Sequence, residues 1–155
     1  MRLPPFSDFL EQHRTTVYRF LTAAVGPHDA DDVFQETFLA ALRAYPRLTD
    51  PTRLDRWILR IASRKAIDHH RAAGRRAVPT GELPERPSAS AGRPELDGEL
   101  GAAIAGLPSK QRVAVVHRHV LDRSYGDVAE AMGTSEDAAR ANVYQGLKKL
   151  RELMR

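Results

Sequence analysis

Residues 124–154 read SYGDVAEAMGTSEDAARANVYQGLKKLRELM, two runs with the apolar spacing of α-helices that meet at Gly133. The first run starts at Ser124 and carries Val128, Ala129 and Met132 on one face. The second starts at Ser135 and is built on Ala139, Val143, Gly146 and Leu150. Ser124 followed by Asp127 is an acidic form of the capping box, Gly133 supplies a backbone able to take positive φ, and Ala129 and Ala139 are small enough for two helices to cross closely. This is the grammar of a helix-turn-helix. The opposite face of the second helix displays Asp137, Arg140, Ala141, Tyr144, Gln145 and Lys148, a mixture suited to reading base edges and touching phosphates. Two amphipathic helices joined at a glycine also occur in many bundles that bind no DNA, so the rest of the chain has to decide.

The chain's 155 residues suffice for one domain or two small ones, and a 42% hydrophobic content supports real cores without marking a membrane protein. No apolar run approaches the roughly 20 residues of a membrane span, and the opening MRLPPFSDFLEQ has neither signal-peptide nor transit-peptide character. A soluble, cytoplasmic protein without membrane insertion is expected. Cysteine is absent, which removes disulfides and thiolate metal sites. The histidines are poorly spaced for a metal: His69 and His70 are adjacent, His117 and His119 fall on different sides of a helix, and all read as polar helix surface. There is no Gly-rich phosphate loop and no nucleophile with a supporting base, so no catalysis, cofactor, metal or small-molecule substrate is expected.

The formal net charge is +4 and the isoelectric point about 9.8, but the charge is unevenly spread. Residues 1–50 hold five basic against seven acidic side chains, a net −2. Residues 51–80 hold eight basic side chains, among them Arg60, Arg64, Lys65, Arg71 and Arg75, against Asp55 and Asp68 alone, a net +6. A basic block this far from the helix-turn-helix suggests a second contact with a polyanion. A solvated helix face accounts for some of these arginines but not for so one-sided a set.

Residues 77–96 bring Pro79, Gly81, Pro84, Pro87, Ser88, Ser90, Gly92 and Pro94 without apolar periodicity, the composition of a linker. At about 3.3 Å per residue it spans a distance on the order of 65 Å when extended, enough to separate two lobes across a large partner; a plain tether is the simpler reading. On either side everything reads as helix. Ser7 is expected to cap a helix with Phe9, Leu10, Val17, Phe20, Leu21 and Ala24 inward, ending at Gly26-Pro27. Asp29 is expected to open a second with Val33, Phe34, Thr37, Phe38, Ala41, Leu42 and Tyr45 inward, and Thr52 with Asp55 a third with Leu54, Trp57, Ile58, Ile61 and Ala62 inward. Two further helices, over residues 96–105 and 109–121, precede the helix-turn-helix. No stretch alternates like a half-buried strand. The expected fold is all-α: a helical domain over residues 5–76, a linker over 77–95 and a second helical domain over 96–155.

Three segments together carry a family resemblance. DADDVFQETFLAAL (29–42), RLDRWILRIASRKAIDHHR (53–71) and GLPSKQRVAVVHRHVLDRSYGDVAEAMGTSEDAARANVYQGLKKLREL (106–153) occur in the order and spacing of a bacterial sigma factor of the extracytoplasmic-function type, which the chain resembles over nearly its whole length. Such proteins join a sigma2 domain to a sigma4 domain through a linker. The resemblance implies a dissociable initiation subunit that binds core RNA polymerase, recognises two promoter elements and promotes strand opening. It implies that Asp31, Asp32, Gln35 and Glu36 face the clamp helices of the beta-prime subunit, where an acidic, hydrogen-bonding surface suits an arginine-bearing helix. Asp31 and Asp32 would also simply favour the positive end of their own helix dipole.

The resemblance further places Arg60, Arg64, Lys65, Asp68 and Arg71 along the minus-ten element, with Arg64 standing where many relatives have Asn. Trp57 is a tempting platform for an unpaired base, yet its spacing with Leu54, Ile58 and Ile61 favours the core. In the second domain Arg140, Asn142, Tyr144, Gln145 and Lys148 are implied to face the minus-thirty-five element, and an apolar surface around Val113, Val116, Val120 and Leu121 partly to form the core and partly to receive the tip of the beta flap. Core polymerase, promoter DNA and an anti-sigma factor are the implied partners. Two other classes stay open at this stage. One is a stand-alone helix-turn-helix regulator, which would have no use for the acidic helix or the basic block. The other is a degenerate adaptor that binds polymerase or an anti-sigma protein without reading promoters, favoured by Glu136 and Asp137 at the reading helix's start.

Overall fold

The structure, a computed structural model, describes residues 2–76 and 98–154; the expected linker lies outside them. The described residues form helices α1 (Phe6–Val25), α2 (Pro27–Ala44), α3 (Leu54–Arg76), α4 (Gly98–Ala105), α5 (Ser109–Val115), α6 (Tyr125–Met132) and α7 (Glu136–Leu153), and no strand. A 3₁₀ turn, Tyr45–Arg47, follows α2, and α5 runs on into a π-helical turn, Val116–Val120. The fold is all-α, as its periodicities imply.

The helix starts in the first half differ from expectation. α1 begins at Phe6, with Pro5 in an extended conformation accepting from Asp8 and Phe9 N–H, so Ser7 lies inside the first turn and caps nothing. α2 begins at Pro27 rather than Asp29: Gly26 turns the chain at φ 91°, and a proline at the first helical position needs no N–H partner and has its φ already set. Asp50, not Thr52, organises the approach to α3, accepting from both the N–H and the hydroxyl of Thr52. Those bonds hold the Asp50 carboxyl below the usual range. In the second half the serines do cap. Ser124 Oγ accepts from Asp127 N–H and Ser135 Oγ from Ala138 N–H, each at 3.1 Å, and Gly133 makes the turn at φ 65°.

α1, α2 and α3 enclose an aromatic core in which Phe9 meets Phe6, Phe38, Tyr45 and Trp57. Trp57 is half-buried and points inward. Leu42, expected inside, is 49% exposed, as is its neighbour Leu39 at 51%. The apolar stripe of α2 is simply wider than the core it covers.

In this structure the two halves share one core: Phe20, Leu21, Ala24, Ile58 and Ala62 belong to the same buried cluster as Ile104, Leu107, Val113 and Val116. α5 lies at its centre, and the five consecutive residues Val113, Ala114, Val115, Val116 and His117 are all buried. A run of that kind marks a helix surrounded on every side. Val113 and Val116 therefore serve the core part expected of this set and offer no surface here, while Val120 and Leu121 are half-buried against the same cluster. α7 approaches α5 so closely that a Cβ on Gly146 would lie 2.5 Å from Val115 Cγ2.

Candidate nucleic-acid interface

The outer face of α7 is as expected from its spacing: Asp137, Arg140, Ala141, Tyr144, Gln145 and Lys148 are exposed, and Tyr144 is 65% accessible. Asn142 is not on this face. Two residues beyond Arg140 it has turned about 200° round the helix, and its amide donates to Ala138 O at 3.1 Å. Arg140 is pre-positioned. Its guanidinium pairs with Glu136 Oε1 at 2.9 Å and lies 4.4 Å from the centroid of the Tyr125 ring, whose arrangement also holds Arg118 at 4.4 Å. The ring's negative quadrupole attracts both cations, and Glu136 offsets the repulsion between them. Sequence reasoning missed Tyr125 and Arg118, because no helical period links positions on α6 and on the turn before it to α7.

α3 brings a second set together. Arg60, Arg64 and Arg71 are exposed on one side of the helix with Asp68, lining a cleft of about 320 Å³ whose opposite wall is Met132 and Gly133. Lys110 of α5 adds a further cation. Lys65 is half-buried and does not line the cleft. The basic surface is thus real, and it borders the turn of the helix-turn-helix while its arginines stay exposed. One turn before Arg60, Arg56 reaches α6 directly, with Nη2 2.9 Å from Asp127 Oδ1 and Nη1 3.0 Å from Glu130 Oε2. The Asp127 carboxylate is consequently turned to Arg56 rather than back to the start of its own helix.

The acidic face of α2 is open. Asp31, Asp32, Gln35 and Glu36 are all exposed, and Leu39 and Leu42 extend the same surface toward the end of the helix. Tyr18 of α1 donates its hydroxyl to Asp31 Oδ1 at 2.8 Å, a bond that raises the phenol's pKa and fixes the carboxylate. Acids beside exposed leucines make a surface for a protein helix with both cationic and apolar side chains.

His117 overturns its expected place on a polar surface. It is wholly buried, its ring stacked on Phe20 at 4.5 Å and its Nε2 2.6 Å from Ser63 Oγ. Burial, aided by Arg123, pushes its pKa down to about 3. Nothing among the described residues forms a group of three or more histidine, aspartate or glutamate side chains able to hold a metal.

Residues 9–76 match the family Sigma-70 region 2, and residues 97–150 match Sigma-70, region 4. The chain is 37% identical to the ECF RNA polymerase sigma factor SigD of Mycobacterium tuberculosis, over 94% of this chain and 74% of that protein. It is 33% identical to the RNA polymerase sigma factor CarQ of Myxococcus xanthus, over 96% of this chain and 88% of that protein. Among solved structures the fold resembles the sigma factor RpoE of Bartonella quintana in complex with the anti-sigma factor NepR, with a TM-score of 0.76 at 22% identity over 96% of each chain. It also resembles CnrH in complex with the cytosolic domain of CnrY, with a TM-score of 0.66 at 21% identity over 96% of this chain and 86% of that one. With both sigma regions in order along one chain, this protein belongs to the extracytoplasmic-function sigma factors of the sigma-70 family, the initiation factors of RNA polymerase.

Proposed function

We propose that this sigma factor divides initiation among three surfaces. The α2 face, with Asp31, Asp32, Gln35 and Glu36 and the exposed Leu39 and Leu42, docks on the clamp helices of the beta-prime subunit. The α3 face, with Arg60, Arg64, Lys65, Asp68 and Arg71, follows the opened strand of the minus-ten element. The α7 face, with Arg140, Tyr144, Gln145 and Lys148, enters the major groove of the minus-thirty-five element, while Asn142 supports its own helix. The observation that carries this reading is that two exposed cationic surfaces and one exposed acidic, leucine-bearing surface sit on three different helices of a single chain.

The chemistry suits each role. Arginines track a strand backbone as counter-ions leave, and an unpaired base held on the protein offsets part of the cost of unstacking. α7 begins with Glu136 and Asp137, which weaken phosphate contact there; two modest DNA contacts joined on one polymerase reach useful affinity through effective concentration. The phosphodiester chemistry belongs to the polymerase. No described helix is long and apolar enough to cross a membrane, and the protein works in the cytoplasm, where promoters are. One solved relative, RpoE, was captured with an anti-sigma factor, which supports a protein inhibitor of this chain as well.

Run-off transcription with purified core polymerase tests the reading. Promoter-dependent transcripts from native templates are expected; their absence from every native template would overturn it. Reversal of charge at Asp32 and Glu36 is expected to abolish association with core, and retained binding would remove the clamp assignment alone.

A further inference from the structure

We propose that the free chain rests in a closed state with its two lobes packed together, and that His117, seated between Phe20 and Ser63, is a proton-sensitive wedge holding them.

Closure is built from several independent contacts between the halves. Arg56 forks onto Asp127 and Glu130. Arg112 of α5 reaches across to Ala24 O at the end of α1 and to His70 Nε2 on α3, and is braced within its own half by Ala105 O and Leu107 O beside α4. His117 inserts from the π-helical turn into the space between α1 and α3. With these in place, the exposed arginines of α3 line an open cleft of about 320 Å³ between the lobes.

The proton sensitivity follows from hydrogen-bond accounting. The Ser63 hydroxyl has one hydrogen and gives it to Leu59 O at 2.7 Å, so its oxygen accepts from His117 Nε2–H. The tautomer is fixed, and His117 Nδ1 is left as a bare, buried acceptor with no partner. A second proton has only that nitrogen to occupy. There it creates a buried cation with no acceptor among the described residues, beside the like-charged Arg123, whose own charge faces Asp55 and Asp127, each 3.9 Å away. Attraction between an imidazolium and the Phe20 ring is small against this desolvation. Once the lobes separate, His117 faces water and returns toward its ordinary value of 6.5.

The sign is then determined. The open state binds more protons than the closed state between about pH 3 and 6.5, so closure is fully favoured above 6.5 and weakens as pH falls below it. For this one group the open-to-closed ratio rises about tenfold from pH 7.5 to 5.5. His70 acts in the same direction. Burial and then Arg112 bring it down to about 4, with His69 also lowering it and Asp29 raising it. Its protonation removes the lone pair that accepts from Arg112 and leaves Nε2 to donate to Ala24 O instead, 2.7 Å away.

Because the chain has no cysteine, T15C and K149C, both at exposed positions in different lobes, allow paired fluorescent labels on the full-length protein alone. High energy transfer is expected at pH 7.5, with the open-to-closed ratio rising about tenfold by pH 5.5 while helicity by circular dichroism is unchanged. The neutral H117Q, whose amide still donates to Ser63, is expected to stay closed and lose most of the response. Low transfer at every pH, transfer independent of pH, a response undiminished in H117Q, or loss of transfer together with helicity would each overturn the proposal. None of these readouts involves polymerase, so failed run-off transcription with intact pH-dependent opening would count against the promoter-reading assignment only.

Discussion

The guanidinium of Arg140 lies over the ring of Tyr125, 4.4 Å from its centroid, while Glu136 Oε1 pairs with its Nη2 at 2.9 Å. An arginine on an exposed helix is ordinarily free to sample many rotamers, and each contact made with DNA must first overcome that freedom. Here the ring of α6 has already restricted the search.

Substitution at this trio separates reading from positioning. R140A is expected to cost about 1–3 kcal/mol of holoenzyme affinity and to relax preference at one or two base pairs of the minus-thirty-five element. Y125L keeps the charge but frees the side chain, so a smaller loss with unchanged base preference is expected. Fluorescence anisotropy of holoenzyme on a panel of promoter duplexes checks both.

α5 and α7 meet where only glycine fits. A Cβ on Gly146 would lie 2.5 Å from Val115 Cγ2 and 3.4 Å from the backbone oxygen of Gln111, so G146A forces the helices apart. Overpacking of this kind costs about 1–3 kcal/mol. A lowered melting temperature is expected, restored in part by the second substitution V115A, which removes the clashing methyl.

How much of this was readable beforehand depended on how far apart in the chain the partners lie. Val128, Ala129, Ala139, Val143 and Leu150 were legible as core because each repeats within its own helix, and Ser124, Gly133 and Ser135 because a cap or turn is a property of four or five neighbours. His117 was illegible: its partners Phe20 and Ser63 are far away in sequence, and a histidine carries the same letter whether it is wet or wedged between lobes. Leu42 failed for the opposite reason, since an apolar residue at the right period still lies outside when the core is narrower than the stripe. The three proposed DNA- and protein-facing surfaces come from family likeness, and most but not all of their residues are exposed, Lys65 and Asn142 being half-buried. Asn142 shows the limit of that placement, because adjacency in sequence to Arg140 put it round the helix rather than beside it.

Arg56 makes closure sensitive to salt as well as to pH. It meets two carboxylates, but its side chain is 29% exposed and those of Asp127 and Glu130 are 21% and 46% exposed, so screening reduces the pair to about 1 kcal/mol. R56Q is therefore expected to raise the open-to-closed ratio roughly fivefold at low salt and to have little effect at high salt. Energy transfer across the lobes during a sodium chloride titration checks it, and the wild-type curve should converge on that of R56Q as salt rises.

Leu39 and Leu42 provide the sharpest test of the α2 surface. Both are about half exposed, so replacing them removes little from the core, and L39S or L42S should leave the melting temperature within about 0.5 kcal/mol of wild-type stability. If the acids steer a cationic clamp helix and the leucines anchor it, the two kinds of substitution will divide kinetically. D32N and E36Q should slow association with core polymerase and blunt its dependence on ionic strength. L39S should speed dissociation, with a loss in affinity of about tenfold or more if it is an anchor in a desolvated centre. Surface plasmon resonance of the variants on immobilised core polymerase, at two salt concentrations, resolves both rates; identical kinetics for L39S and wild type would place the polymerase on another face of the molecule.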